Sequence, residues 1–245
     1  MSLRSPLELL NDTISFYNAH AKTYALIVLV PAILGGILSY LSERYLPPEE
    51  SAAFFTELVA LGSTLWILLS GLILGGIVSI IACIALIFFT ADPSRYPSAA
   101  SAYSHAKTYF FPYLFVGLLT GLAIMGGMIL LIVPGIVIAV WFAFSQYTCL
   151  LEEKNGFEAL RASRTLVVGR WGAVFTRLLV FVAIYILATF AFMSIIDQAI
   201  SDDALSAGLS NLLLVIVLTP ISTIYPYLLY KDLKAADATN ASSAS

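Results

Sequence analysis

The sequence predicts an all-α polytopic membrane protein: six transmembrane helices in three hairpins, each hairpin preceded by a cytoplasmic amphipathic helix lying in the membrane interface. Three observations predict it. The 245 residues are 60% hydrophobic and 11% charged, with a mean hydropathy of +0.94, whereas soluble domains carry about 45–50% apolar and about 25% charged residues. The charges divide the chain into uncharged runs that match a hydrocarbon core, which a helix crosses with about 20 residues. Lys and Arg also collect in one set of connecting segments, as the positive-inside rule requires.

The elements follow in order. "SPLELLNDTISFYNAHAK" (5–22) reads as the first interfacial helix, with Ser5 as N-cap, Pro6 at the first helical position and Glu8 completing a capping box. Leu7, Leu10, Ile14, Tyr17 and Ala21 recur at helical spacing, forming an apolar stripe opposite Glu8, Asn11, Asp12, Ser15 and Lys22. Thr23–Ser42 and Leu58–Ala91 supply spans one and two. "YPSAASAYSHAK" gives a second, less apolar helix beginning at Pro97. The run Thr108–Leu151 is about twice one span's length, and Pro134 and Gly135 in "GGMILLIVPG" supply the turn between spans three and four. "NGFEALRASRTLVVGR" repeats the amphipathic logic, with Asn155 as cap and Glu158 three residues on. Leu178–Ile196 and Ala204–Tyr230 are spans five and six.

One membrane domain (1–234) is therefore expected, built from units of about 5–90, 96–151 and 155–230, with 235–245, "AADATNASSAS", as a disordered polar tail. The polar start "MSLRSPLELLNDT" does not have the pattern of a signal peptide.

Orientation follows from counting cations. Arg4, Lys22, Arg95, Lys107, Lys154, Arg161, Arg164, Arg170, Arg177, Lys231 and Lys234 precede the odd-numbered spans or follow the last. Of the 12 Lys and Arg, Arg44 alone falls on the other side, where Glu43, Glu49, Glu50, Glu57, Asp197, Asp202 and Asp203 make the loops acidic. Both termini are expected on the cytoplasmic side of the inner membrane.

The pentapeptide HAKTY occurs twice and contains both histidines of the chain. His20, Lys22 and Tyr24 form one copy, His105, Lys107 and Tyr109 the other. Each falls where an interfacial helix hands over to a span, with its tyrosine expected at headgroup level. Trp171 takes that place in the third unit, preceded by Gly169 and Arg170, and Gly36 and Gly121 lie equally far beyond their tyrosines. These correspondences predict a threefold internal repeat. The histidines read first as duplicated junction residues, and second as a metal or proton-relay pair. No carboxylate or cysteine stands at ligand spacing from either, and the third unit has Val167 there.

Chemistry is sparse elsewhere. No span interior carries Asp, Glu, Lys or Arg, the usual mark of proton-coupled pumps, and no hydrolase elbow, zinc-protease, Walker or dinucleotide motif occurs. No enzyme activity, catalytic residue, cofactor, metal site or nucleic-acid partner is expected. Cys83 and Cys149 read as packed thiols. "GLILG" (71–75) and "GLLTG" (117–121) read as internal packing, and Gln146 as an interhelical hydrogen bond. Pro31, Pro112, Pro220 and Pro226 are expected to kink their spans. Lys154, Arg161, Arg164, Arg170 and Arg177 form the densest cationic cluster. They serve either topology alone or contact with anionic lipid, at on the order of 1 kcal/mol per cation.

Two stretches, "LLIVPGIVIAVWFAFSQYTCLLEEKNGFEALRASRTLVVGRW" and "YPYLLYKDLK", resemble the membrane domain attached to some bacterial glycerophosphoryl diester phosphodiesterases and its stand-alone YciC-like relatives. Pro134, Gly135, Glu152, Glu158, Ala159, Leu160, Ser163, Gly169 and Trp171 carry the likeness, closed by Tyr230, Asp232 and Leu233. The phosphodiesterases continue into a catalytic barrel, whereas here Lys234 leads into the polar tail, so the activity is not carried over. The resemblance implies a membrane-domain protein with a lipid- or envelope-associated, non-enzymatic role, working with membrane lipids and with a protein partner in the membrane as a further candidate. The alternative is a permease-like component, suggested by the triplicated unit and the prolines. A third reading, an enzyme acting on a lipid headgroup, would need His20 and His105 to converge.

Overall fold

The computed structural model describes residues 3–45 and 62–243, and all regular structure among them is helical. The acidic loop residues Glu49, Glu50 and Glu57 and the expected start of span two lie outside the described residues. Six helical segments are long and apolar enough to cross a membrane: 6–45, 69–91, 99–130, 132–151, 171–199 and 203–239.

Helix α1 (Pro6–Tyr45) runs through both the first interfacial segment and the first span, and its backbone leaves helical values once, at His20 (φ −128, ψ 18). Its capping box forms as the sequence dictates: Ser5 N donates to Glu8 Oε2 at 2.7 Å and Glu8 N to Ser5 Oγ at 3.2 Å. The single apolar stripe is corrected. Leu9 and Thr13 are the buried positions, while Leu7 (67%) and Ile14 (45%) are exposed. This face of α1 meets protein rather than headgroups, so a hydroxyl is accepted inside because Thr13 Oγ1 donates to Leu9 O.

Helix α2 (Ser63–Ala91) ends at Asp92. Helix α3 (Ala99–Ala106) starts from a Ser98–Ser101 capping box, one residue beyond Pro97, and passes through a 3-10 turn (Lys107–Tyr109) into α4 (Phe110–Leu130). Pro112 is the third residue of α4, where its missing N–H costs no intrahelical bond. Pro31, Pro220 and Pro226 do lie inside helices.

The turn between spans three and four is made by Leu131, whose backbone is extended (φ −167, ψ 153), not by Pro134 and Gly135. Those two belong to the first turn of α5 (Ile132–Trp141). Pro134 loses nothing there, and Gly135 lets the hairpin close: a Cβ on Gly135 would lie 3.0 Å from Met128 N. Span four is itself interrupted, since α5 stops at Trp141 and α6 (Ser145–Leu151) begins after a three-residue turn.

Helix α7 (Phe157–Val167) is capped by Gly156 at φ +54, not by Asn155, whose carbonyl rather than side chain accepts from Glu158 N at 3.1 Å. After Gly169 at φ +84, α8 (Trp171–Ala199) and α9 (Asp203–Ser243) complete the chain. The segment expected as a disordered tail continues as helix to Ser243, with Ala236 buried and Asp237 paired to Arg170.

The most extensive packing is between α1 and α9. Gly36 and Gly208 bring them together: a Cβ on Gly36 would lie 2.9 Å from Gly208 O, and one on Gly208 3.0 Å from Gly36 O. Gly121, the expected counterpart of Gly36, meets only open space. In "GLILG" both glycines meet Leu38, whereas in "GLLTG" only Gly117 has a neighbour, Gln146 Nε2 at 2.8 Å. Gln146 makes no interhelical hydrogen bond through its buried Oε1; Thr120 and Ser145 supply one instead at 2.9 Å. Helices α4 and α8 turn large apolar side chains outward, among them Phe111, Ile129, Leu187 and Phe190, as lipid-facing helices do.

Candidate functional site

The ion pairs among the described residues gather at the end of the bundle that carries the cations. Four tethers bind the chain's distant parts there. The Arg4 guanidinium grips Asp232 with two bonds, Nε to Oδ2 at 2.9 Å and Nη2 to Oδ1 at 2.6 Å, and this pairing holds its pKa above the ordinary value. Arg177 donates to the carbonyls of Arg4 at 2.7 Å and Leu3 at 3.0 Å, clamping the N-terminal segment on α8. Arg170 pairs with Asp237 at 2.6 Å. Glu152 receives Lys154 Nζ at 2.7 Å, Lys234 Nζ at 3.0 Å and the Tyr230 hydroxyl at 2.6 Å. Burial works against the Glu152 charge, yet these three donors hold its carboxyl down at about 2.

A fifth joint explains the broken span. Ser163 Oγ donates to Trp141 O at 2.7 Å and accepts from Phe144 N at 3.1 Å, satisfying both lips of the gap between α5 and α6. Thr148 Oγ1 reaches back to Ala159 O at 2.9 Å. Helix α7 is thus docked on protein along Ala159, Leu160, Ser163, Leu166 and Val167. Its Glu-Ala-Leu and serine positions have a physical reason: Ala159 must be small and Ser163 must bridge.

The five-residue cationic cluster is dispersed by these contacts. Lys154, Arg170 and Arg177 are engaged as described, and Arg164 lies 4.6 Å from the Trp141 ring centroid in a cation–π contact. Arg161 is exposed and has no ion-pair partner among the described residues.

The first HAKTY copy contains the α1 irregularity at His20, and the second runs into the 3-10 turn. Their side chains differ from expectation. Tyr24 is fully buried, its hydroxyl 2.8 Å from Thr90 Oγ1 and its ring edge-on to Phe89, so it is a core residue and not a headgroup anchor. His20 sits against Phe89 at 5.7 Å and His105 against Phe88 at 4.7 Å. The two imidazoles therefore pack on successive phenylalanines. No group of three or more His, Cys, Asp or Glu placed to hold a metal occurs among the described residues. Lys22 and Lys107 are exposed. Trp171 stacks on Phe175 at 4.9 Å and points its Nε1 at Val137 O at 3.4 Å.

What sequence reading missed is a pocket of about 160 Å³ between the ends of α2 and α6 and the junction of α3 with the 3-10 turn, lined by Phe88, Asp92, Arg95, Tyr96, His105, Tyr109 and Glu153 among others. The D-P-S turn at 92–94 was the available signal. Asp92 Oδ1 accepts from Ser94 Oγ at 2.6 Å, Ser94 N at 3.2 Å and Arg95 N at 3.1 Å, bonds that keep its carboxyl below the ordinary range.

Over 155 residues the chain is 30% identical to a UPF0259 membrane protein of Pectobacterium carotovorum, an alignment covering 61% of this chain. It covers 58% of that relative, so the chain spans little more than half the length of the curated relative it matches. No family model matches the chain, and no solved structure matches it. With six apolar helices and a relative so described, it is an integral membrane protein.

Proposed function

We propose that this protein is a non-enzymatic, multi-pass component of the cytoplasmic membrane that associates with anionic lipid through its basic end, with both termini cytoplasmic. One observation carries the reading: α7 docks one face on the bundle and leaves Arg161 and Arg164, three residues apart and on one side, exposed at the end of six apolar spans. Cations so placed beside a negatively charged leaflet gain on the order of 1 kcal/mol each. The resemblance to the membrane domain of glycerophosphoryl diester phosphodiesterases supports a place in lipid or envelope metabolism, and the threefold repeat belongs to the same proposal. Extraction into lipid nanodiscs, followed by mass spectrometry of the co-purifying lipid, tests it. Enrichment of an anionic lipid over a control membrane protein, reduced in the Arg161→Gln, Arg164→Gln variant, is expected. A lipid profile identical to the control's would refute the association.

The interrupted fourth span favours a second reading, a permease-like component, because discontinuous helices build substrate sites in transporters. Ser163 fills this break with a side chain of the same protein, which makes it a structural joint. Substrate uptake by proteoliposomes holding the chain alone would restore the permease reading.

A further inference from the structure

The pocket beside Phe88 has a composition that neither the tethers nor the basic face requires. Four rings form one wall: Phe88, Tyr96, His105 and Tyr109, with adjacent centroids 4.7–5.7 Å apart. Two carboxylates stand at its rim. Asp92 uses only Oδ1 in its turn, and Glu153 uses only Oε1, which accepts from the Tyr109 hydroxyl at 3.3 Å. Oδ2 of the first and Oε2 of the second have no partner among the described residues. Lys154, next in sequence to Glu153, turns to Glu152 instead. Arg95 is the one guanidinium in the lining; it lies 5.7 Å from the Tyr96 ring centroid and pairs with no carboxylate side chain among the described residues.

Glu153 also has the one positive φ of a non-glycine among the described residues, +54. Such a backbone is strained for a residue with a side chain and persists where the surroundings fix it. Here it sets a carboxylate on the pocket wall. Aromatic faces with carboxylates attract an ammonium group, and a guanidinium takes a phosphate. The pocket lies near the ends of three of the apolar segments, 69–91, 99–130 and 132–151.

We infer that this pocket binds an ammonium-bearing phosphodiester headgroup of the phosphoethanolamine type, the ammonium on Glu153, Asp92 and the ring wall, the phosphate on Arg95. The inference rests on the lipid-associated reading above and names a second, chemically distinct lipid contact. The same chemistry is offered by a membrane lipid and by a soluble phosphoethanolamine ester.

The test uses the full chain in detergent, with native mass spectrometry against short-chain phosphatidylethanolamine, short-chain phosphatidylglycerol and free phosphoethanolamine. The wild type should retain the phosphatidylethanolamine about tenfold over the phosphatidylglycerol, equivalent to about 1.4 kcal/mol. Glu153→Gln should abolish the preference, Arg95→Gln should weaken ethanolamine binding, and Thr165→Ala, which loses only an exposed bond to Ala162 O outside the pocket, should leave it unchanged. Retention without competition by free phosphoethanolamine assigns the site to membrane lipid. Direct binding of free phosphoethanolamine, lost in Glu153→Gln, assigns it to a soluble ester. Equal retention of the two lipids with no binding of the free compound overturns the inference, as does a preference that Glu153→Gln leaves intact. Anionic-lipid enrichment in the nanodisc experiment alongside that failure would leave the lipid-associated reading standing, whereas no enrichment of any lipid would remove both.

Discussion

The Tyr230 hydroxyl donates a 2.6 Å hydrogen bond to Glu152 Oε1, tying the last helix to the turn after the fourth span across 78 residues of sequence. The stretches around Glu152 and Tyr230 therefore meet in space, and the meeting is polar, short and shielded. Hydrogen bonds to charged acceptors contribute about 1.5–3 kcal/mol, and Tyr230→Phe should destabilise the purified protein by that order in thermal unfolding. Lys234→Gln should cost less, because Lys234 is half-exposed and its attraction is screened. Equal effects would mean that the bond is not the principal tether.

Acid should loosen the same joint. The Glu152 carboxyl is held at about 2, below its unfolded value of 4.5, so the folded state favours the ionised form. Its contribution is complete above the unfolded value and is lost as pH falls from about 4.5 toward about 2. The wild type should lose thermal stability over that window more steeply than Glu152→Gln, which has no carboxyl to protonate there. Parallel curves for the two proteins would remove the assignment.

Ser163→Ala leaves Trp141 O and Phe144 N facing a methyl group at the break in span four. An unpaired buried backbone group costs about 1–3 kcal/mol, so a loss of that order per group is expected in unfolding experiments. Ser104→Ala, which loses only an exposed bond to Ser101 O, serves as the comparison and should be nearly silent.

Glycine positions divide into two classes that sequence alone does not separate. Gly36→Ala and Gly208→Ala drive a methyl group to within about 3 Å of the opposing carbonyl, and overpacking of this kind costs about 1–3 kcal/mol. Gly121→Ala meets open space inside α4 and should gain up to about 1 kcal/mol of helix propensity. Measured unfolding of the three variants decides it: loss in the first two with none in the third is expected, and equal losses in all three would contradict the α1–α9 approach.

The contrast shows how much of this protein was legible in its sequence. Span number, hairpin order and the Ser5–Glu8 cap follow from hydropathy and local spacing, which are one-dimensional properties, and the structure has all three. Tyr24 was misjudged because its neighbours in sequence suggest an interface, whereas Thr90 and Phe89 draw it into the core. The cationic cluster read as one surface because its members are close in sequence; the acids that divide it, Asp237 and Glu152, are contributed by other segments. Ser163 was visible as a feature of the family pattern, but its purpose depends on a break in another helix. The pocket brings together 88–109 and Glu153, a pairing that no periodicity encodes.

Everything proposed for the basic end requires that it face the cytoplasm. Cysteines introduced singly at Ser94 on the basic end and Ser201 on the other, in a background with Cys83 and Cys149 replaced by Ser, are to be labelled by a membrane-impermeant thiol reagent in intact spheroplasts and in inverted vesicles. Ser94→Cys should react only in inverted vesicles and Ser201→Cys only in spheroplasts. The reverse pattern would place the exposed Arg161 and Arg164 on the wrong leaflet and contradict the account.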